Sequence, residues 1–364
     1  MTVGVLHIVD SLACGGTETV AVNLANQLPG AYRSYLCSTR RGGPLLSSLN
    51  GRVQYTCLNR KSTADLGAAL RLSQFIAEKN IRVLHAHSSS LFLARLALLL
   101  SRSSQLRLVW HDHYGRCESN DRPAWMYRLV LARASGVIAV NQRLADWARF
   151  ALQIPGERVW FVPNFVPPEE FRSDGPAPLP GSDGSRIVCV ANFRPQKDHF
   201  TLLRAFAIVR RTYPQAHLLL AGAVVDDAYA RAVRAEATKS ELDTHVTFLG
   251  EVRHVDPILR GSDIGVLSSA SEGLPLSLLE YGRAGLASVA TRVGQCSDVL
   301  AQGEAGVLVE PKSPEQLAAA IGRLLESERE RWRLGEAFRE LVERSYSSDS
   351  VVKQICAIYE RVLS

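Results

Sequence analysis

Glu272 and Glu280 stand at the two ends of Glu272-Gly273-Leu274-Pro275-Leu276-Ser277-Leu278-Leu279-Glu280. Ahead of them Ile264-Gly-Val-Leu267 reads as a buried strand, and residues 276–284 read as a helix. Pro275 suits the first helical position, where its missing N–H costs nothing. Glu272 then falls in the loop before a helix N-terminus, and Glu280 about one turn inside the helix. Such a terminus, at the carboxyl end of a parallel strand, offers free N–H groups and a positive dipole end to a phosphate. The carboxylates suit sugar hydroxyls instead. The stretch asks for a ligand with hydroxyls at both ends and phosphate between them, which describes a nucleotide sugar. Arg194 and Lys197 follow another strand signal, in Asn192-Phe-Arg194-Pro-Gln-Lys197-Asp198. A cation pair at the start of a βα unit suits a diphosphate, Arg as a fork and Lys as a point charge.

Four of the nine histidines, His85, His87, His111 and His113, form two His-x-His pairs at the ends of strand signals. Both pairs point to one ligand-facing edge, where an imidazole can donate to a sugar hydroxyl or a phosphate. His-x-His pairs also bind metals, but no cysteine or carboxylate cluster completes a set, and no metal is expected. Gly15 and Gly16 lie in the loop after the first strand signal, where adjacent glycines let backbone approach a ligand closely. The dinucleotide fingerprint G-x-G-x-x-G is absent, and no Gly-Lys-Ser/Thr follows the glycines. Both absences weigh against a nicotinamide oxidoreductase and a P-loop enzyme.

The elements that must position these residues alternate. Strand signals at 3–9, 34–38, 53–58, 83–87, 106–110 and 137–140 interleave with helix signals at 17–28, 66–79, 91–101 and 124–134. A Pro, Gly and Ser-rich stretch at 171–185 cannot form a core and reads as a linker. The alternation restarts with strands at 187–190, 217–221, 246–249, 264–267, 287–291 and 307–310, and helices at 200–213, 276–284 and 313–325. An amphipathic helix closes the chain at about 346–364. This pattern predicts an α/β protein with parallel sheets in right-handed βαβ units, divided into a first domain, 1–170, and a second, 186–345.

The chain has 364 residues, 46% hydrophobic and 21% charged, as suits two soluble globular domains. No basic-flanked leader opens it and no apolar run is long enough to span a bilayer. Its seven cysteines, at 14, 37, 57, 117, 189, 296 and 356, are scattered without ligand spacing and fit reduced thiols in a cytoplasm. Residues 1–170 hold 19 basic against 11 acidic side chains, a net of +8, while the remainder is nearly neutral with 23 against 25. Arg122, Arg128 and Arg133 cluster on a helix signal with Trp125, Met126 and Tyr127. That grouping reads either as a face for an anionic membrane or as core aromatics with solvated arginines.

Glu272-Gly-Leu-Pro with Glu280 resembles the Glu-x7-Glu signature of the retaining GT-B glycosyltransferases of family 4, also called group 1. Gly250, Asp263 and Ala290-Thr-Arg-Val-Gly294 match its flanks, and Gly15-Gly16-Thr-Glu18 resembles the Gly-Gly-x-Glu loop of its first domain. The resemblance implies two doubly wound Rossmann-like domains facing across a cleft, with the last helix crossing back onto the first. It implies a nucleotide-sugar donor, most often a UDP-sugar and next GDP-mannose, and a glycan or lipid-linked acceptor. Gly15, Gly16, Gly273, Leu274, Pro275 and Leu276 would line the donor. Glu280 would accept from the ribose and Glu272 from the sugar. Arg194 and Lys197 would stabilise the leaving diphosphate, and His111 would lie beside the transferred sugar, with His113 in reserve and His87 lining the same edge. No cofactor, metal or nucleic acid is implied. The expected location is the cytoplasm, peripheral to the inner face of the plasma membrane. The sequence departs from the family pattern at Phe165, Gln295 and Asp298. Two readings remain beside transfer: a nucleotide-sugar 2-epimerase of the same architecture, and a non-catalytic nucleotide-sugar binding protein.

Overall fold

The computed structural model describes residues 2–62, 65–101, 103–115, 122–168, 179–252 and 254–364. The chain divides into two compact units, residues 1–165 with 348–364, and residues 166–347. Most of the expected linker, 171–178, lies outside the described residues, as does Cys117.

Unit 1 is built on seven parallel strands: β1 (Val3–Val9), β2 (Tyr32–Ser38), β3 (Gln54–Cys57), β4 (Ile81–His87), β5 (Arg107–Asp112), β6 (Gly136–Ala139) and β7 (Val159–Phe161). Their order in the sheet is β3-β2-β1-β4-β5-β6-β7. Unit 2 repeats the plan with six: β8 (Arg186–Val190), β9 (His217–Ala221), β10 (Val246–Gly250), β11 (Ile264–Leu267), β12 (Ala287–Thr291) and β13 (Val307–Val309), ordered β10-β9-β8-β11-β12-β13. Helices between the strands cover both faces, which is why the strands are apolar along their length rather than alternating. Each unit has its own core, around Leu6, Leu84 and Trp110 in unit 1 and around Ile187, Leu218 and Val289 in unit 2. Each sheet grows outward in both directions from its first strand. The resulting crossing points, β1 beside β4 and β8 beside β11, are where an open α/β sheet leaves a crevice for ligand.

One feature was not legible from the alternation. The 18-residue helix Glu328–Ser345 has no place in it. Its buried residues are Leu334, Gly335, Phe338 and Val342, a narrow stripe on an otherwise charged helix, so its apolar signal is weak. The closing helix, Ser348–Leu363, belongs to unit 1: Arg107 Nε donates to Val362 O at 2.9 Å, and Tyr359 OH lies 2.5 Å from His85 Nδ1.

Candidate active site

In unit 2 three loops meet at the β8–β11 crossing point. Lys197 ends the loop after β8, and the helix His199–Thr212 follows it. Asp198 sits between them in the left-handed region, at φ 45°. Its carboxylate accepts from Thr201 N and Thr201 Oγ1, which caps the helix and holds this unfavourable backbone. The loop after β11 is fastened to it: Ala270 N donates to Gln196 O at 2.8 Å, and Ser268 Oγ to Lys197 O at 3.0 Å. The loop after β12 closes the third side. Gln295 N donates to Gly273 O at 3.0 Å. Gly294, at φ 52°, lies so close to Glu272 that a Cβ there would meet Glu272 O at 2.1 Å, so no larger residue fits.

This framework brings Lys197 and Glu272 together. Lys197 Nζ lies 2.5 Å from Glu272 Oε1, and Ser269 Oγ donates to the same oxygen at 2.6 Å. Glu272 is 5% exposed and Lys197 9%. Two such charges stay buried because each supplies the other's counter-charge. Arg194 differs: it is exposed, and its guanidinium has no hydrogen bond or ion pair to a described residue. Pro275 is the residue before the helix Leu276–Arg283 rather than its first residue, a shift of one position that leaves its missing N–H equally harmless. No side chain caps that helix, so its first N–H groups stay available beside Gly273 and Leu274. Glu280 lies on its second turn, and its carboxyl makes no hydrogen bond or ion pair to a described residue. Burial pushes its pKa up to about 7; Arg283 pulls it back, and Asp256 adds to the rise. Arg283 is itself ion-paired with Asp256. Among the described residues the loops thus carry an unpaired guanidinium, an uncapped helix N-terminus and two carboxyls in different surroundings, one paired with Lys197 and one not.

In unit 1 the corresponding crossing point carries histidines. The register sets His7 on β1 beside His85 on β4, and His87 beside His111 on β5. Residues two apart share a face of a strand, so His85 and His87 lie on one side, their rings stacked with centroids 4.5 Å apart. His111 is the fifth residue of β5 rather than a loop residue, and His113 follows the strand. Two chains of contact result. His85 Nδ1 meets Tyr359 OH at 2.5 Å, and His85 Nε2 meets His111 Nδ1 at 3.0 Å. His7 Nδ1 meets His87 Nε2 at 3.2 Å, and His87 Nδ1 meets His113 Nε2 at 3.0 Å. Burial holds every ring neutral: His7 and His113 fall to about 3, and His85, His87 and His111 lie well below the usual value. The sequence reading did not single out His7 or Tyr359. It also judged the ligand set incomplete; the fold brings His7, His85 and His87 together, and likewise His87, His111 and His113, with nitrogens within 4.8 Å of one another. The signal that could have found His7 is its place near the end of the first strand.

Gly15 precedes the helix Gly16–Gln27 and no side chain caps it. A Cβ at Gly15 would meet the Glu18 carboxylate, whereas Gly16 has open space around it. Arg122 does not join a surface cluster. It is paired with buried Asp112 at 2.9 Å and lies over the Trp147 and Tyr114 rings at 3.9 and 4.1 Å. Trp125 faces outward, 69% exposed, so the core alternative fails for that residue, and Leu129 on the same helix is 70% exposed.

Comparison with known proteins bears on the family and the fold. Residues 14–170 match the family described as Glycosyltransferase Family 4, and residues 176–341 the family described as Glycosyl transferases group 1. The putative glycosyltransferase EpsF of Bacillus subtilis is 27% identical over 78% of this chain and 77% of its own length. The N-acetyl-alpha-D-glucosaminyl L-malate synthase of Bacillus anthracis is 25% identical over 82% of this chain and 80% of its own. Among solved structures, HepE of Anabaena in complex with UDP and glucose superposes with a TM-score of 0.81 at 18% identity, covering 98% of this chain and 99% of that one. The two family matches together span nearly the whole chain, which belongs to the group 1, family 4 glycosyltransferases and is a glycosyltransferase of GT-B fold.

Proposed function

We propose that unit 2 binds a nucleotide-sugar donor at the β8–β11 crossing point, and that the sugar passes to a glycan or lipid-linked acceptor with retention at the anomeric carbon. The observation that supports the reading is the meeting of Glu272 and Lys197 before an uncapped helix, with Arg194 in the same loop as Lys197. Glu280, without a protein partner for its carboxyl, accepts from the ribose hydroxyls. The diphosphate takes the helix N–H groups and Arg194. Glu272 accepts from a sugar hydroxyl, held in place by Ser269 and Lys197. As the bond to the leaving oxygen stretches, charge builds on the diphosphate, and Lys197 and Arg194 are placed to meet it. Preorganised cations and a helix dipole do there the work that a metal ion does in other transferases, so no Mg²⁺ or Mn²⁺ requirement is expected. UDP is the preferred nucleotide in this reading, since HepE is described in complex with UDP and glucose. His111 remains the candidate neighbour of the transferred sugar, as a neutral donor or acceptor.

A 2-epimerase would need acid and base groups that titrate near its working pH. The buried histidines are held neutral far from it, which favours transfer. No helix among the described residues is long and apolar enough to cross a membrane. Exposed Trp125, Leu129 and Phe150, with Arg128 bonded to Ala151 O beside Phe150, favour an acceptor carried on an anionic membrane.

The test is calorimetry with a panel of nucleoside diphosphates and their sugars, followed by incubation of the best donor alone and with candidate acceptors. The expected outcome is selective diphosphate binding, slow hydrolysis without acceptor and a product of unchanged anomeric configuration. Epimerisation of the donor alone, or an absolute need for Mn²⁺, would overturn the reading.

A further inference from the structure

His87, His111 and His113 form a cluster that sugar transfer does not need in full. One ring nitrogen from each lies within 4.8 Å of one from each of the others, with no carboxylate or thiol among them. The contacts also divide each ring into two ends. His111 Nδ1 is engaged by His85, and His111 Nε2 is buried without a hydrogen-bond partner among the described residues. His87 Nε2 is engaged by His7, while its Nδ1 faces His113 Nε2 at 3.0 Å. Two imidazole nitrogens on one tetrahedral ion, each about 2.0–2.1 Å from it, stand roughly 3.3 Å apart. The facing pair is close to that separation already.

We propose that His87 Nδ1, His111 Nε2 and His113 Nε2 bind a transition-metal ion of the zinc class in unit 1. Three neutral imidazoles leave a fourth position open, and nitrogen ligands without oxygen select Zn²⁺, Co²⁺ or Ni²⁺ over Mg²⁺ or Mn²⁺. The other ring ends already have the support such ligands need. His111 Nδ1 is in hydrogen-bond contact with His85 Nε2, and His85 in turn faces Tyr359; His87 Nε2 is in contact with His7 Nδ1, so tautomers with the proton on these far nitrogens would leave His111 Nε2 and His87 Nδ1 for the ion. A second partner on the far nitrogen fixes the tautomer and orients the ring toward the ion. His87 and His111 are 1% and 2% exposed, whereas His113 is only partly buried and gives the ion a way in. The ion is distinct from the donor diphosphate's partners, Arg194 and Lys197, and leaves the donor assignment in unit 2 untouched, but it occupies His111 Nε2 and so excludes that ring as a direct hydrogen-bond partner of the sugar.

The experiment uses full-length protein without a histidine tag, stripped by a chelator and titrated with Co²⁺. One equivalent should bind with the visible absorption of a four- or five-coordinate nitrogen site, and one equivalent of Zn²⁺ should displace it. His113→Gln, the mildest change because that ring is partly exposed, should weaken Co²⁺ binding by about 100-fold, with circular dichroism unchanged. His254→Gln, at an exposed position in unit 2, should have no effect. Zn²⁺ should raise the thermal midpoint of the parent protein and not of His113→Gln. The proposal is overturned if no cobalt colour develops or if His113→Gln binds like the parent. It is equally overturned if His7→Gln abolishes uptake while His113→Gln leaves it intact, which would place an ion in the other triad.

Discussion

The two sheets share one plan, each growing in both directions from its first strand, yet they fill their crossing points with opposite kinds of group. Between β8 and β11 lies a buried ion pair, Lys197 with Glu272, and near it an exposed, unpaired Arg194. Between β1 and β4 lie imidazoles that have given up their charge. Burial explains both. A lysine and a glutamate keep their charges inside a protein only by pairing, whereas histidine can become neutral at little cost. Topology decides where each unit meets its ligand. The side chains decide which ligand the crossing point suits: a charged diphosphate in the proposed donor site, and in the other something that neutral ring nitrogens could hold.

The largest effect should come from breaking the ion pair. Glu272→Ala leaves Lys197 buried without a counter-charge and should cost about 3–5 kcal/mol of unit 2 stability, with turnover lost. Replacing both partners, Lys197→Met with Glu272→Leu, should restore most of the stability and none of the turnover. Denaturant titration separates these outcomes; an unchanged midpoint for Glu272→Ala would mean the pair is solvated and the contrast between the units is false.

Arg194 sharpens the comparison inside unit 2. Its exposed guanidinium makes no hydrogen bond or ion pair to a described residue, so Arg194→Ala should leave the denaturation midpoint where it was. It should lower kcat by about 10²–10³-fold, as for other donors aimed at transition-state charge. A loss of stability comparable to that of Glu272→Ala would make it a structural residue.

Glu280 gives a smaller effect with a defined sign. Its folded pKa is raised from 4.5 to about 7, so between those values the folded protein holds a proton that the unfolded chain has released. Its contribution therefore favours folding at low pH and is lost as pH rises through about 7. Glu280→Gln should raise the thermal midpoint by a few degrees near pH 8 and hardly change it near pH 5. Donor binding runs the other way: ribose hydroxyls favour the carboxylate, so nucleotide affinity should rise with pH up to about 7, by up to about tenfold per pH unit. In Glu280→Gln that slope should vanish, and a slope that survives would assign it to another group.

The smallest effect lies at the surface of unit 1. Changing Trp125, Leu129 and Phe150 to Ser should reduce co-sedimentation with anionic liposomes a few-fold at low salt and leave donor binding untouched. Equal recruitment by neutral liposomes would remove the membrane from the account.

The sequence made the donor side largely legible because its chemistry is local. Glu272, Gly273, Pro275 and Glu280 share one loop and helix, and Arg194 and Lys197 share another loop. What it could not show was the bond between the two loops, since Lys197 and Glu272 are 75 residues apart and meet only because β8 and β11 are neighbours. The histidine set was half legible for the same reason. His85 with His87 and His111 with His113 announce themselves by spacing, but His7 joins through strand register and Tyr359 through a helix from the far end of the chain. Arg122 was misplaced because a cation beside aromatic residues on a helix reads as surface, and only the fold reveals Asp112 beneath it.

The central claim is that the two carboxylates of unit 2 hold opposite ends of one donor. It is tested most directly by calorimetry of the preferred nucleoside diphosphate at about pH 8 with the parent protein, Glu280→Gln and Glu272→Gln. The account predicts that Glu280→Gln weakens nucleotide binding by roughly 1.5–3 kcal/mol, one charge-assisted hydrogen bond, while Glu272→Gln binds it like the parent. Equal nucleotide affinity in the parent and Glu280→Gln would contradict it.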